Sequence, residues 1–216
     1  MRKYNKIETI YKRDIEGTKK LLPGVFRDST VAFLAYNTWE WTEKVDGTNI
    51  RICWDGHKVT FGGRTDNAQI PAPLMNRLNE LFGGSVNEEV FEQCFGEAEV
   101  ILFGEGYGAG IQKGGGDYIS NGVDFILFDV LWGENFQPRY MVEAIAKSFD
   151  VKVVPIVGTG NLEQAVNFVM SHPNSQIAEK PREMEGIVCR PAVELRNRNG
   201  ERIIVKIKWE DFKHLT

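Results

Sequence analysis

The spacing of apolar and polar positions changes period several times along the chain. Thr48-Asn49-Ile50-Arg51-Ile52-Cys53-Trp54 alternates with the period of two that sends successive side chains to opposite faces of a sheet. Asp55-Gly56 is a tight-turn pair and Lys58-Val59-Thr60-Phe61 resumes the strand, so the segment predicts a β-hairpin. Leu74, Leu78, Leu81 and Phe82 then fall at helical spacing, and Gly83 ends the run. Asn87 has the chemistry of an N-cap, with Glu88 and Glu89 in the first turn of a second helix and Val90, Phe91, Cys94 and Phe95 on one face.

Two strongly apolar strands are expected next, Val100-Ile101-Leu102-Phe103 and residues 125–131, with a glycine-rich loop over 104–116 between them. Pro138 opens a helix carrying Val142, Ile145, Ala146 and Phe149. Residues 152–157 read as a strand, and Asn161 with Gln164 as a capping box for a helix through Met170. Strands over 186–190 and 202–208 close the pattern. Hairpins mixed with helices, without regular βαβ alternation, predict an α+β fold with antiparallel sheets flanked by helices. There is no internal repeat, low-complexity stretch or linker, so a single domain over residues 1–216 is expected.

Composition leaves that picture standing. Hydrophobic residues make up 42% and charged residues 26% of 216, an ordinary globular balance that excludes disordered, collagen-like and coiled-coil chains. A chain this long buries roughly 70% of its unfolded surface and needs no staple. No apolar run approaches the roughly 20 residues that span a bilayer, and no apolar stretch follows the basic N-terminus as a secretory signal would. Cys53, Cys94 and Cys189 are far apart and form no Cys-x-x-Cys pair, which predicts reduced thiols in the cytoplasm and no structural zinc.

The net charge of −4 changes the picture once it is mapped. Residues 1–20 carry seven Lys/Arg against three Asp/Glu, and residues 180–216 carry nine against six. The ends are therefore basic, at +4 and +3, and the middle is acidic, at −11. That distribution is compatible with a polyanionic substrate even though the total is negative.

Six short elements carry candidate chemistry. Glu43-Lys44-Val45-Asp46-Gly47-Thr48-Asn49 sets a lysine before a tight turn at the start of a strand. Arg64 follows Gly62-Gly63 on the far side of the hairpin. Glu105 sits between Gly104 and Gly106, where a ligand can approach closely. Asp129 follows Phe128 in an apolar strand and requires a partner if it points inward. Glu185 enters a strand, and Lys206 and Lys208 share a strand face, where two ammonium groups repel unless an anion sits between them. The glycine-rich loop lacks Gly-Lys-Ser/Thr and opens no evident helix, which excludes a P-loop and a dinucleotide fingerprint.

In this order and spacing, the six elements resemble the motifs of the covalent nucleotidyltransferase superfamily of DNA ligases, RNA ligases and capping enzymes. The match is Lys-x-Asp-Gly at Lys44, then Arg64, Phe-Gly-Glu at Glu105, Phe128-Asp129, Glu-Gly at Glu185 and Lys-x-Lys at Lys206 and Lys208, and it covers residues 43–208. Asn49 stands where DNA ligases and capping enzymes usually carry arginine, and residues 104–114 look like the corresponding loop of nick-sealing RNA ligases.

The resemblance implies a ligase adenylation domain that uses ATP and Mg²⁺, with Mn²⁺ as an alternative. It joins 5′-phosphate and 3′-hydroxyl ends of nicked or single-stranded RNA through a lysyl-AMP. It implies Lys44 as nucleophile, Lys206 and Lys208 on the phosphate, Glu185 beside the metal and Phe128 on the adenine. Glu105 would meet the ribose, Glu43 and Asn49 would neighbour the nucleotide, and Arg64 would lie near the ribose or the RNA end. Asp46 and Asp129 are supporting residues. Most members continue past the last motif, whereas Lys208 is followed by eight residues here; no C-terminal OB-fold or helical domain is expected, and an accessory protein could replace it. The alternatives are a DNA ligase or polynucleotide 5′-adenylylating enzyme, and a non-catalytic nucleotide- or RNA-binding module.

Overall fold

Alternating apolar positions build two separate sheets, each buried on one face by its own helices. The computed structural model describes residues 2–214. In chain order the elements are β1 (Glu8–Thr9), β2 (Tyr11–Arg13), β3 (Leu21–Phe26), α1 (Ser29–Leu34), β4 (Trp39–Glu43), β5 (Thr48–Trp54), β6 (Val59–Gly62), α2 (Ala72–Phe82), α3 (Gly84–Phe95) and β7 (Val100–Gly108). There follow β8 (Val123–Trp132), β9 (Asn135–Phe136), α4 (Arg139–Ser148), β10 (Lys152–Val153), β11 (Ile156–Gly160), α5 (Leu162–Met170), β12 (Gly186–Pro191) and β13 (Val205–Lys208). This is a mixed α+β fold. Its pairings are antiparallel except for β1 with β13 and β10 with β8.

The chain divides into two compact units. The first comprises residues 2–5, 46–154 and 177–180. Its sheet runs β10-β8-β7-β5-β6, with β9 alongside β8. One face packs on α2, α3 and α4 through Ile50, Ile52, Trp54, Leu74, Leu78, Phe82, Phe91, Leu102, Phe125, Leu127, Val130 and Phe149. Each fully buried aromatic of this kind contributes about 1.5–3 kcal/mol by leaving water. The opposite face carries a smaller cluster of Cys53, Ile101, Phe103 and Leu131, against which Tyr4, Phe128 and Phe136 pack.

The second unit comprises residues 6–45, 155–176 and 181–214. Its sheet runs β1-β13-β12-β4-β11, and β2 and β3 form a separate hairpin. Trp39, Trp41, Ile187, Cys189, Val205 and Ile207 join Leu162, Ala165 and Val169 of α5 in its core.

The hairpin at residues 48–62, the helix ended at Gly83 and the capping box at Asn161 form where the sequence places them. Three expectations are corrected. Asn87 is not an N-cap: α3 begins at Gly84, and the Asn87 amide donates to Glu80 O and Gly83 O, closing the corner between α2 and α3. The expected strand over 152–157 is two strands on different sheets, because Pro155 cannot continue a ladder. The glycine-rich loop starts later than expected, since β7 continues through Gly108. Among the described residues, no helix is long and apolar enough to cross a membrane.

Candidate functional site

In the second unit, three strand ends set the charged residues. β12 lies between β4 and β13, with Ile187 opposite Glu43 and Gly186 opposite Lys208. The Lys44 amide donates to Gly186 O at 3.0 Å, and the Trp209 amide to Glu185 O at 3.1 Å. Gly186 permits this approach: a Cβ there would collide with Ile207 O and lie 2.8 Å from Lys208 Cα. Lys44 and Lys208 therefore flank Glu185. Lys44 Nζ is 2.5 Å from Glu185 Oε2, and Lys208 Nζ is 2.8 Å from Glu185 Oε1. One carboxylate bridges two ammonium groups, one oxygen to each.

The alternation of β13 sends Val205 and Ile207 into the core and leaves Lys206 and Lys208 on the other face. The two lysines differ electrostatically. Burial and the charges of Lys44 and Lys208 push the Lys206 pKa down. Burial acts on Lys208 in the same direction, but the Glu185 hydrogen bond and charge outweigh it and raise its pKa. Among the described residues, no carboxylate lies within ion-pair distance of Lys206. Glu210 Oε2 also lies 3.7 Å from Lys208 Nζ, and the charge of Asp211 partly offsets the neighbouring lysines at Lys206, so the three ammonium groups sit among carboxylates that can give way to a phosphate.

Glu43, immediately before Lys44, is 1% exposed. Ser175 Oγ donates to its Oε1 in a short bond, and the Gln176 amide donates to its Oε2 at 2.8 Å. Burial raises its pKa against these two bonds and the charge of Arg182, which pull it down. The side chain that the sequence places beside the nucleotide is held here by protein donors on both oxygens. Ser175, Gln176 and Arg182 carry no sequence signal for this role; they arrive from a loop some 130 residues away.

In the first unit, the sheet face opposite the helices carries Asn49, Glu105, Phe128 and Asp129. Asn49 pairs with Glu105, and Glu105 with Ile126, forming one cross-strand row; Arg51, Phe103 and Asp129 form the next. Glu105 is therefore inside β7, not at its end as the sequence suggested. Asn49 Oδ1 is buried with no hydrogen-bond partner among the described residues. An unsatisfied buried acceptor is costly, so this atom suits a ligand donor.

A bulge in β8 sets Phe128 and Asp129. Phe103 pairs with Asp129 but Gly104 with Leu127, so Phe128 is the extra residue. The alternation shifts by one: Leu127 and Val130 both enter the helix-covered core, while Phe128 joins the opposite cluster. Phe125 and Phe128 lie on opposite faces, as strand parity predicts. Asp129 is fully buried and accepts from Tyr4 Oη at 2.8 Å. The Tyr4 ring meets Phe103 and Phe128 edge-on at 4.9 and 5.1 Å. The partner that a buried Asp129 requires is Tyr4, 125 residues away, which no local pattern in the sequence marks.

The backbone after the lysine is held within this unit too. The Asp46 amide donates to Tyr118 Oη at 3.2 Å, and Gln112 Nε2 donates to Gly47 O at 3.0 Å. Gly47 has no room for a side chain: a Cβ would strike Gly106 O and lie 2.9 Å from Glu105 Cγ. Arg64 is exposed on the turn that follows β6.

The donor set restricts what metal chemistry fits. Among the described residues, no group of three or more His, Cys, Asp or Glu side chains could hold a metal ion. A hard cation that keeps most of its waters needs only one or two carboxylates, and Glu185 can supply one. The site fits Mg²⁺ or Mn²⁺ held chiefly by water and phosphate and does not fit a caged metal.

The chain resembles several structures of the RNA ligase of Naegleria gruberi. A mutant with ATP and manganese matches with a TM-score of 0.68 at 18% identity, covering 100% of this chain and 58% of that one. Another with AMP and manganese matches at 0.64 and 17%, covering 97% and 63%. A mutant without ligand matches at 0.66 and 17%, covering 96% and 55%. The chain therefore spans less than two thirds of the length of these structures, and at such identity they speak for the fold. The RNA ligase family model matches residues 37–208, from before the lysine motif to the last lysine of β13. With four fifths of its length covered by that model, the chain belongs to the RNA ligase family.

Proposed function

We propose that this chain is the adenylation domain of an ATP-dependent RNA ligase, which joins a 5′-phosphate end to a 3′-hydroxyl end. The observation that carries the reading is the Glu185 carboxylate bridging Lys44 and Lys208, with Lys206 on the same strand face as Lys208. Lys44 Nζ attacks the α-phosphorus of ATP, the bond to pyrophosphate breaks, and AMP remains on the lysine. The AMP then passes to the 5′-phosphate, and the 3′-hydroxyl displaces it as the strand closes.

Each residue has a definable part. A lysine attacks only as a free amine, so the ammonium proton must leave Lys44 before the bond forms. Glu185 Oε2, at 2.5 Å, is positioned to accept that proton. Lys206 and Lys208 stabilise the negative charge that grows on the phosphate in the transition state. Mg²⁺ bound beside Glu185 would neutralise phosphate charge. Phe128 offers its ring to the adenine, and Asn49 and Glu105, neighbours in one row, offer an acceptor and a carboxylate to the nucleoside. Glu43, both of whose oxygens accept protein hydrogen bonds, fixes the strand end that carries Lys44 and acts on the nucleotide only through that placement.

The substrate is tested on nicked duplexes with RNA or DNA on the 3′-hydroxyl side, supplied with ATP and Mg²⁺. Faster sealing of the RNA-ended nick supports an RNA ligase. Equal or faster sealing of the DNA-ended nick, or accumulation of adenylylated 5′ ends without joining, replaces it with one of the other two polynucleotide activities.

A further inference from the structure

Arg51 interrupts the apolar part of β5, residues 50–54. Its neighbours Ile50 and Ile52 enter the helix-covered core, and Arg51 lies on the other face of β5, yet it is 0% exposed. A buried guanidinium is costly unless its donors are used. Here Nε donates to Gly63 O at 2.7 Å and Nη2 to Asp66 Oδ1 at 2.9 Å. Nη1 donates to Arg2 O at 3.4 Å.

The geometry of these bonds is directional. Arg51 is paired with Gly62, the last residue of the edge strand β6, so its side chain reaches the turn that follows. Residues 64–69 of that turn are exposed and belong to no strand or helix. Its own backbone bond is Ala68 N to Thr65 O, at 3.1 Å. Asp66 is held below the usual carboxylate range, first by the Arg51 hydrogen bond. Lys3 Nζ lies 3.8 Å from the other oxygen of Asp66. The fork of Arg51 thus grips the turn one residue before Arg64 and two residues after it. A planar fork can hold a carbonyl and a carboxylate at once, which an ammonium cannot do with the same fixed geometry.

We propose that Arg51 and Asp66 are a positioning pair that fixes the turn over residues 63–66 and so presents the Arg64 guanidinium to substrate in one orientation. The proposal rests on the ligase reading for what Arg64 touches, and on the hydrogen bonds above for how it is held. A reacting or binding group displaced by about 1 Å can lose on the order of 100-fold in rate, so a loosened turn should register in catalysis well before it registers in folding.

The test uses Asp66→Asn, Arg64→Ala, the double variant and Arg51→Lys. Asp66 is half exposed, so its substitution opens no core. Lysyl-AMP formation and nick sealing are timed separately, with thermal midpoints and hydrogen exchange of the 63–68 amides. Asp66→Asn should slow the step that Arg64→Ala slows, by about tenfold. Its melting temperature should stay unchanged, and the turn should exchange faster. The double variant should be no slower than Arg64→Ala alone, because coupled residues are not additive. Arg51→Lys should act in the same direction as Asp66→Asn. Unchanged exchange of the turn, multiplicative effects, wild-type activity of Arg64→Ala, or an equal loss in both steps with a lowered melting temperature overturns the pair. If the wild type forms no lysyl-AMP, the ligase reading fails separately. Exchange in Asp66→Asn then decides alone: faster upholds the pair and unchanged overturns it.

Discussion

In the unit built on β4, β12 and β13, three of the candidate residues are joined as charges: Lys44 and Lys208 share the Glu185 carboxylate. In the unit built on β5, β7 and β8, Phe128 and Asp129 sit beside an aromatic cluster, and Asp129, fully buried, is held by Tyr4. The difference is one of exchangeability. An ion pair that is partly open to water can trade its partner for a phosphate or a cation at modest cost. A carboxylate buried against Phe103 and Phe128 cannot be released without leaving an unpaired charge. The first arrangement suits groups that change partners during a reaction; the second suits a surface that must keep its shape.

The largest expected effect lies on the charged side. Glu185→Ala leaves Lys44 and Lys208 without their shared anion, and Lys208→Ala removes the side chain proposed to hold the phosphate. Each should slow joining by on the order of 100-fold or more, measured on a nicked duplex. Near-normal joining by both variants would break the division of roles.

The next effect separates the two faces of β8. Phe125→Ala empties a site that is 0% exposed in the helix-covered core and should cost about 3–5 kcal/mol in urea unfolding. Phe128→Ala, partly buried against the smaller cluster on the opposite face, should cost clearly less stability and raise the KM for ATP. Equal destabilisation with unchanged KM would contradict the assignment of Phe128.

A pH titration sharpens the contrast between the two lysines of β13. The Lys206 pKa lies below its ordinary 10.5, so the unfolded chain binds more protons between the depressed value and 10.5. Stability contributed by this group therefore rises with pH across that window, and the cost of its charge is fully present below it. Phosphate binding needs the charged form. Affinity for ATP should accordingly begin to fall at a lower pH than an ordinary lysine would give. Lys206→Arg should move that fall upward; an unmoved profile would remove Lys206 as its source.

The smallest effect is a control outside both groups. Asn161→Ala deletes the capping box of α5 and should cost about 1 kcal/mol, with lysyl-AMP formation by the folded protein unchanged.

What was legible in the sequence follows from the range of the interactions. The hairpin at Asp55-Gly56 and the shared face of Lys206 and Lys208 need only local periodicity, and both formed as read. Strand parity also separated Phe125 from Phe128. The same parity could not show the β8 bulge that brings Asp129 to the side of Phe128, because an extra residue leaves no mark in an apolar run. Asn87 misled because a good N-capping side chain also serves to close a helix corner. The bonds from Tyr4 to Asp129 and from Ser175 to Glu43 join residues more than a hundred positions apart and depend on tertiary placement alone. The lysine motif was legible as a candidate; that Glu185 would bridge it to Lys208 required the order β4-β12-β13.

The most direct test of the account is covalent labelling of the protein with ATP radiolabelled at the α-phosphate, in Mg²⁺, followed by denaturing electrophoresis. Lys44 as nucleophile predicts a labelled band from the wild type that pyrophosphate removes, and none from Lys44→Ala. An unlabelled wild type, or equal labelling of Lys44→Ala, would contradict it.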